Sequence, residues 1–378
     1  MLILYVAMKY DYGHVERGPS FEHYNFYDSL LHMGHDILYF DFMTLMQEHG
    51  GKWMNRRLLE VVKAEKPDLM FTVLVTDEFD PKAVQDISGN TDIITLNWFC
   101  DDHWRFDNYS RYWAPRFDWV VTTAQSALPK YAHLGYPNVI KSQWACNHFL
   151  YRKLDLPFEY DVTFVGQPHG NRRATIQTLR NAGINVQVWG SGWETRRLGH
   201  EEMIQVFNQS RINLNLSNAS FSGRPPSVTE LAARRRLSWL LDRVPLGAKL
   251  KEWRRQLRNR AAGRVIYPDQ IKGRNFEIPG SGGFLLTGQA DNLEEYYDIR
   301  KEVVCFDSTS DLVEKIRYYL SHEDEREAIA LAGYQRTICE HTYAHRFTEI
   351  FQQLGLSCEP LEAALAGNVH QGQSEEIR

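Results

Sequence analysis

Short apolar runs alternate with amphipathic stretches along this chain, and the alternation stops and starts again near the middle. Residues 2–8, 36–40, 69–75, 93–98 and 119–123 are apolar enough to be strands buried on both faces. Between them, 21–33 and 52–64 repeat apolar residues at helical spacing, and Pro67 and Asp68 punctuate the entry into the next strand. Strands separated by helices of this length pair in parallel through right-handed crossovers, which predicts an α/β sheet covered on both sides. After a connector over 144–156 the series resumes, with strands at 162–166, 186–189, 212–216, 284–287 and 303–306 and helices at 171–181, 311–320 and 325–340. Two such series predict two Rossmann-like domains facing each other, over 1–150 and 158–342.

The length of 378 residues agrees, since a prior of ~150 residues per domain asks for two. A hydrophobic content of 43% supplies a core that needs neither disulfides nor a structural metal. The five cysteines, at 100, 146, 305, 339 and 358, form no Cys-x-x-Cys pair, so no disulfide framework or thiolate zinc site is expected and a reducing cytoplasm is the natural compartment. The opening strand has no basic leader or small-residue cleavage site, and no apolar run approaches the ~20 residues that cross a bilayer. The expectation is a cytoplasmic protein that does not span a membrane.

A net charge of −5 argues against a nucleic-acid partner for the chain as a whole. It hides a basic island: residues 224–264 carry a local balance of +9, leaving −14 elsewhere. Leu246, Leu250, Trp253, Leu257 and Ala261 recur there at helical spacing among lysines and arginines. Such a helical pair suits an anionic membrane surface, placing the protein peripherally at the inner face, or a polyanionic acceptor. It equally suits a solvated hairpin or a dimer contact. The tail over 356–378 is polar, with Gly367 and Gly372, and reads as flexible.

Chemistry-bearing residues gather where predicted strands end. Residues 9–18 after the first strand hold only Gly13 and Gly18, so the dinucleotide fingerprint of a dehydrogenase is missing. That loop either approaches a ligand, bringing His14 with it, or is an ordinary turn. After the strand at 162–166, Gly166 opens a loop that empties into a helix beside Arg172 and Arg173, an anion site by helix dipole and formal charge, or a solvent-facing capped turn. Asp101, Asp102 and His103 follow the strand at 93–98. Asp101 or His103 is a candidate general base, alongside His14, with helix capping by the aspartates as the alternative. Trp189 and Trp193 flank Gly190 and Gly192 and stack on a base or pack in the core.

The richest stretch runs from Asp269 to Thr287. Lys272 and Arg274 precede Glu277, and Gly280, Gly282 and Gly283 then allow close backbone approach. Cations neutralise a diphosphate, whereas a carboxylate tolerates only the hydroxyl end of a nucleotide, so the order of charges fits a nucleoside diphosphate. Residues 274–287, with Leu293, Glu294, Glu295, Lys301, Glu302, Gly333, His341, Tyr343 and Arg346, resemble the C-terminal half of the group 1 glycosyltransferases of the spore-maturation CgeB type. The likeness covers about 160–355 and lapses over the basic island, which then looks like an insertion.

That resemblance implies an α/β protein of GT-B architecture, with the nucleotide sugar on the C-terminal domain and the acceptor on the N-terminal one. By it, Glu277 takes the ribose hydroxyls, Asp269 stands where the family has a glutamate on the donor sugar, and Gly166 with Arg172 or Arg173 forms the phosphate loop. Residues 343–355 would pack back across the N-terminal domain. The expected activity is transfer of a sugar from a nucleoside diphosphate sugar to an acceptor hydroxyl, with no metal and no cofactor beyond the co-substrate. The acceptor class, whether glycan, lipid-linked glycan, protein or small molecule, stays open. A non-hydrolysing sugar-nucleotide epimerase and a non-catalytic nucleotide-binding assembly protein are the alternatives.

Overall fold

The computed structural model describes residues 1–217, 269–357, 361–366 and 373–377. The basic island at 224–264 lies outside the described residues. Twelve strands are described: β1 (Leu2–Ala7), β2 (Asp36–Asp41), β3 (Leu69–Thr72), β4 (Ile94–Phe99), β5 (Trp119–Thr122), β6 (Val139–Lys141), β7 (Tyr160–Val165), β8 (Val186–Trp189), β9 (Ser210–Asn215), β10 (Leu285–Gly288), β11 (Val304–Phe306) and β12 (Ser374–Glu376). They form two wholly parallel sheets, ordered β12-β2-β1-β3-β4-β5-β6 and β11-β10-β9-β7-β8.

Parallel pairing follows from burial on both faces. In β1, Leu4 and Val6 face one apolar cluster while Ile3, Tyr5 and Ala7 face another, and all five are completely buried. Each larger side chain so placed contributes roughly 1.5–3 kcal/mol. Helices Gly51–Glu65 and Pro81–Asn90 cover the first face of this sheet. The segment His23–His32 and the helix Tyr343–Gln353 cover the second, with Tyr343, Phe347 and Phe351 in its core. The chain therefore crosses between the lobes twice, side by side: Cys146 N–H donates to the His341 carbonyl at 2.9 Å and Tyr343 N–H to the Cys146 carbonyl at 3.0 Å.

The order of each sheet sets where ligands go. Strands β1 and β3 are neighbours whose onward connections leave in opposite directions, and β7 and β9 are such a pair in the second sheet. Outside the carboxyl ends of such pairs open α/β sheets leave a crevice. The loop after β1 and the Gly166 loop after β7 both emerge there.

Of the tail, the described residues include a helix at Leu361–Ala366 and β12, which adds to the sheet edge, pairing Ser374, Glu375 and Glu376 with Ile37, Leu38 and Tyr39. Lys9 Nζ meets Glu376 at 2.8 Å, and the Leu365 carbonyl bonds His148 Nε2 at 2.9 Å. Backbone pairing to an open edge orders a polar segment whose composition alone suggests disorder. The three-residue β6 was also missed, being too short for periodicity to register.

Candidate functional site

A cleft of about 270 Å³ opens between the lobes. From the N-terminal lobe come Asp11, Arg17 and Gly18 on the loop after β1, and Phe21, Tyr24 and Asn25; the C-terminal lobe gives Gly166, Gln167, Gly190, Ser191, Arg197, His200, Arg274 and Glu277. His23–Tyr27 is a π turn, a wide-turned local form that is frequent at functional sites. Gly190 is needed where it stands. Its φ is +140°, and a Cβ there would overlap the Gly166 carbonyl, so the two loops touch backbone to backbone.

Glu277 lies in the short helix Arg274–Gly280, inside the cleft, and is 0% exposed. Its Oε2 pairs with Arg274 Nη1, and its Oε1 accepts from the Tyr151 hydroxyl at 2.8 Å and from Asn25 Nδ2 at 3.4 Å. A carboxylate has about four acceptor positions, and these three partners leave one of them unused. Arg274 also reaches the Val165 carbonyl at 3.4 Å and lies over the Phe207 ring.

Behind Gly166 the positive charge is concentrated. Arg172 is buried, donating to the carbonyls of Gln167 at 3.0 Å and Leu216 at 2.5 Å, and it lies over the Phe164 ring. Burial and then the neighbouring Arg274 push it down to about 10, still charged at neutral pH. Lys272 is pushed down to about 8, first by burial and also by Arg172, with Asp101 and Asp269 working the other way. Half-buried Asp269 is raised by its burial, against the pull of Lys272 and Arg172. Cations crowded closely enough to depress one another are relieved by an anion.

Other expected residues stand elsewhere. Arg173 turns outward, meeting Glu194 at 3.4 Å and the Gly192 carbonyl and stacking on Trp193. Trp193 donates its indole N–H to the Gly166 carbonyl at 2.7 Å, which braces the loop and leaves that ring outside the cleft lining. Gly282 and Gly283 approach protein: a Cβ would meet Lys153 at 2.9 Å in the first case, and Asn213 Nδ2 at 2.8 Å in the second. They end the helix, with Gly282 N–H on the Pro279 carbonyl at 2.7 Å and Gly283 N–H on Ile278 at 3.0 Å. His14 is half-exposed beside Glu16 at 3.0 Å and lines neither the cleft nor the cavity after β4. His103 is buried and, by burial and then by Lys272, held down at about 4, so it stays neutral and weakly basic. Asp101 makes no side-chain cap, lines a second cavity and acts electrostatically on Lys272 across the lobes. Asp102 turns inward to the Tyr131 hydroxyl at 2.8 Å.

Two contacts that sequence reading missed bridge the lobes over the cleft. Arg197 Nη1 meets Asp11 at 2.7 Å, and the Tyr24 and His200 rings stack at 4.0 Å. No local signal links residues so far apart in the chain. Among the described residues no helix is long and apolar enough to cross a membrane.

The profile of a family described as glycosyl transferase-like matches residues 172–235 and 250–352. Spore protein CgeB of Bacillus subtilis (strain 168) is 22% identical over 290 residues, which is 75% of this chain and 81% of that protein. Among solved structures, Anabaena HepE in complex with UDP-glucose superposes with a TM-score of 0.57 at 11% identity, covering 94% of this chain and 99% of that one. Sucrose-phosphate synthase from Thermosynechococcus elongatus gives 0.56 at 9% identity, with coverages of 94% and 99%. The two facing parallel sheets are the GT-B arrangement expected from the sequence.

Proposed function

We propose that this chain, a CgeB-type glycosyltransferase of GT-B fold, moves a sugar from a nucleoside diphosphate sugar to an acceptor hydroxyl in the cleft between its lobes. The observation that carries the reading is the juxtaposition of Glu277, buried with one acceptor position unused by the protein, and the cations Arg274, Lys272 and Arg172 around the Gly166 loop. The HepE structure, which contains UDP-glucose, supports a nucleotide sugar as the donor class.

In this reading the base lies against Gly190, Ser191 and His200, and the ribose gives a hydroxyl to Glu277 Oε2. The diphosphate lies on the Gly166 loop, where the N-terminus of the helix Arg172–Asn181 adds a positive dipole end. As the bond from the sugar to the diphosphate breaks, Lys272 and Arg274 hold the developing charge, a role these cations fill without a metal. The Asp11–Arg197 and Tyr24–His200 contacts close the cleft over the donor, which excludes water and suppresses hydrolysis.

Thermal-shift screening against uridine, guanosine and thymidine diphosphates and their sugars tests this. A ligand bound only to the native state at 100 times its Kd stabilises by about 2.7 kcal/mol. One of the three is expected to raise the melting temperature, and Lys272→Ala with Arg274→Ala to abolish the rise. A flat response to all of them contradicts the reading.

A further inference from the structure

The cavity after β4 holds about 90 Å³ and is lined by Met8, Leu74, Val75, Asp101 and Arg105 with Glu22. It sits outside the carboxyl ends of β1, β3 and β4, at the point where the first sheet reverses its winding, the position at which open α/β sheets take ligands. The loop after β1 borders both spaces: Asp11 lines the donor cleft and Tyr12 the cavity. Asp101, on the cavity's other side, acts on Lys272 of the opposite lobe.

Glu22 is a carboxylate on this cavity that the donor site does not use. It is 9% exposed, and its Oε2 is buried with no hydrogen-bond partner. A carboxylate oxygen left in that state is costly unless something brings it a proton or a donor. We propose that this cavity receives the hydroxyl-bearing end of the acceptor and that Glu22 is the catalytic base that takes its proton. This rests on the transferase reading above. The acceptor O–H proton passes to Glu22 Oε2, the acceptor oxygen bonds to the anomeric carbon, and the bond from that carbon to the diphosphate breaks with its electron pair leaving on the diphosphate.

Burial, and then the like charges of Asp11 and Asp101, raise Glu22 to about 7 against the opposing hydrogen bonds from Ser20 and the backbone. The other groups facing it are Tyr12 on the same loop, Cys100 beside Asp101, Tyr5 and Tyr39 on the sheet, and Arg105 on the cavity wall. A base tuned near the working pH accepts a proton readily and gives it up again.

The test follows diphosphate release from UDP-, GDP- and TDP-glucose by the full chain, with water alone and with glycerol as a simple hydroxyl acceptor. Release by the wild type is expected to rise with pH through about 7, the value to which Glu22 is raised. Glu22→Gln should lower release about 10²-fold or more and flatten the pH profile, with affinity for the nucleoside diphosphate unchanged. Glu22→Asp, the check against a folding defect, should keep part of the rate and the rise with pH. Wild-type release by Glu22→Gln, or a wild-type profile flat across this range, overturns the role of Glu22 while nucleotide binding leaves the transferase reading standing. If the wild type neither binds nor turns over any of the three donors, both fall.

Discussion

Replacing Glu277 by glutamine keeps the shape of the side chain and the oxygen that accepts from Tyr151, while removing the charge that faces Arg274. Breaking a buried pair by neutralising one partner costs about 3–5 kcal/mol, because the other charge is left uncompensated. Here the Arg274 side chain is 26% exposed, so water recovers part of that, and about 2–3 kcal/mol is expected. Arg274→Met leaves the fully buried Glu277 without its cation and belongs at the upper end. The double variant removes both charges, so its loss should be close to that of either single change rather than their sum, an interaction of about 2 kcal/mol in a double-mutant cycle. Urea unfolding of the four proteins measures this. Additivity of the two single changes within about 0.5 kcal/mol would refute the premise that these groups share one desolvated pair.

Three further outcomes follow from the same geometry. Gly190→Ala is expected to lose about 1–3 kcal/mol of stability and most nucleotide affinity, because its Cβ overlaps the Gly166 carbonyl; normal melting and binding would contradict that close approach. Lys272, pushed down to about 8, is charged below that pH and neutral above it, so nucleoside diphosphate affinity should fall as pH rises through about 8. Calorimetry across that range checks it, and a Lys272→Met protein should show no such fall. Arg197→Ala removes a bridge whose members are 43% and 19% exposed, so it should cost under about 1 kcal/mol of stability while raising hydrolysis of the donor by water; unchanged hydrolysis would count against closure by this contact.

The sheets were legible because both faces of the central strands are buried, which writes itself as unbroken apolar runs such as Leu2–Ala7. Pairing of β12 was not, since its Ser-Glu-Glu owes its order to backbone bonds with β2 that composition does not encode. Within the site, the Asp269 to Glu277 stretch pointed to the cleft through its order of charges, and Glu277 and Arg274 meet there. Arg173, Trp193, Gly282 and Gly283 show the limit of that reasoning. An arginine beside a loop, an indole beside glycines and a run of glycines look alike in sequence whether they approach a ligand or their own protein, and here they approach Glu194, the Gly166 carbonyl, Lys153 and Asn213. Glu22 gave no signal at all, because its significance lies in burial without a partner.

A crystal of the full chain soaked with the nucleoside diphosphate that gives the largest thermal shift tests the central claim most directly. The diphosphate should lie on the Gly166 loop within reach of Lys272 and Arg274, with a ribose hydroxyl on Glu277. Density for the nucleotide anywhere else, with Glu277 still closed on Arg274, Tyr151 and Asn25 alone, would contradict it.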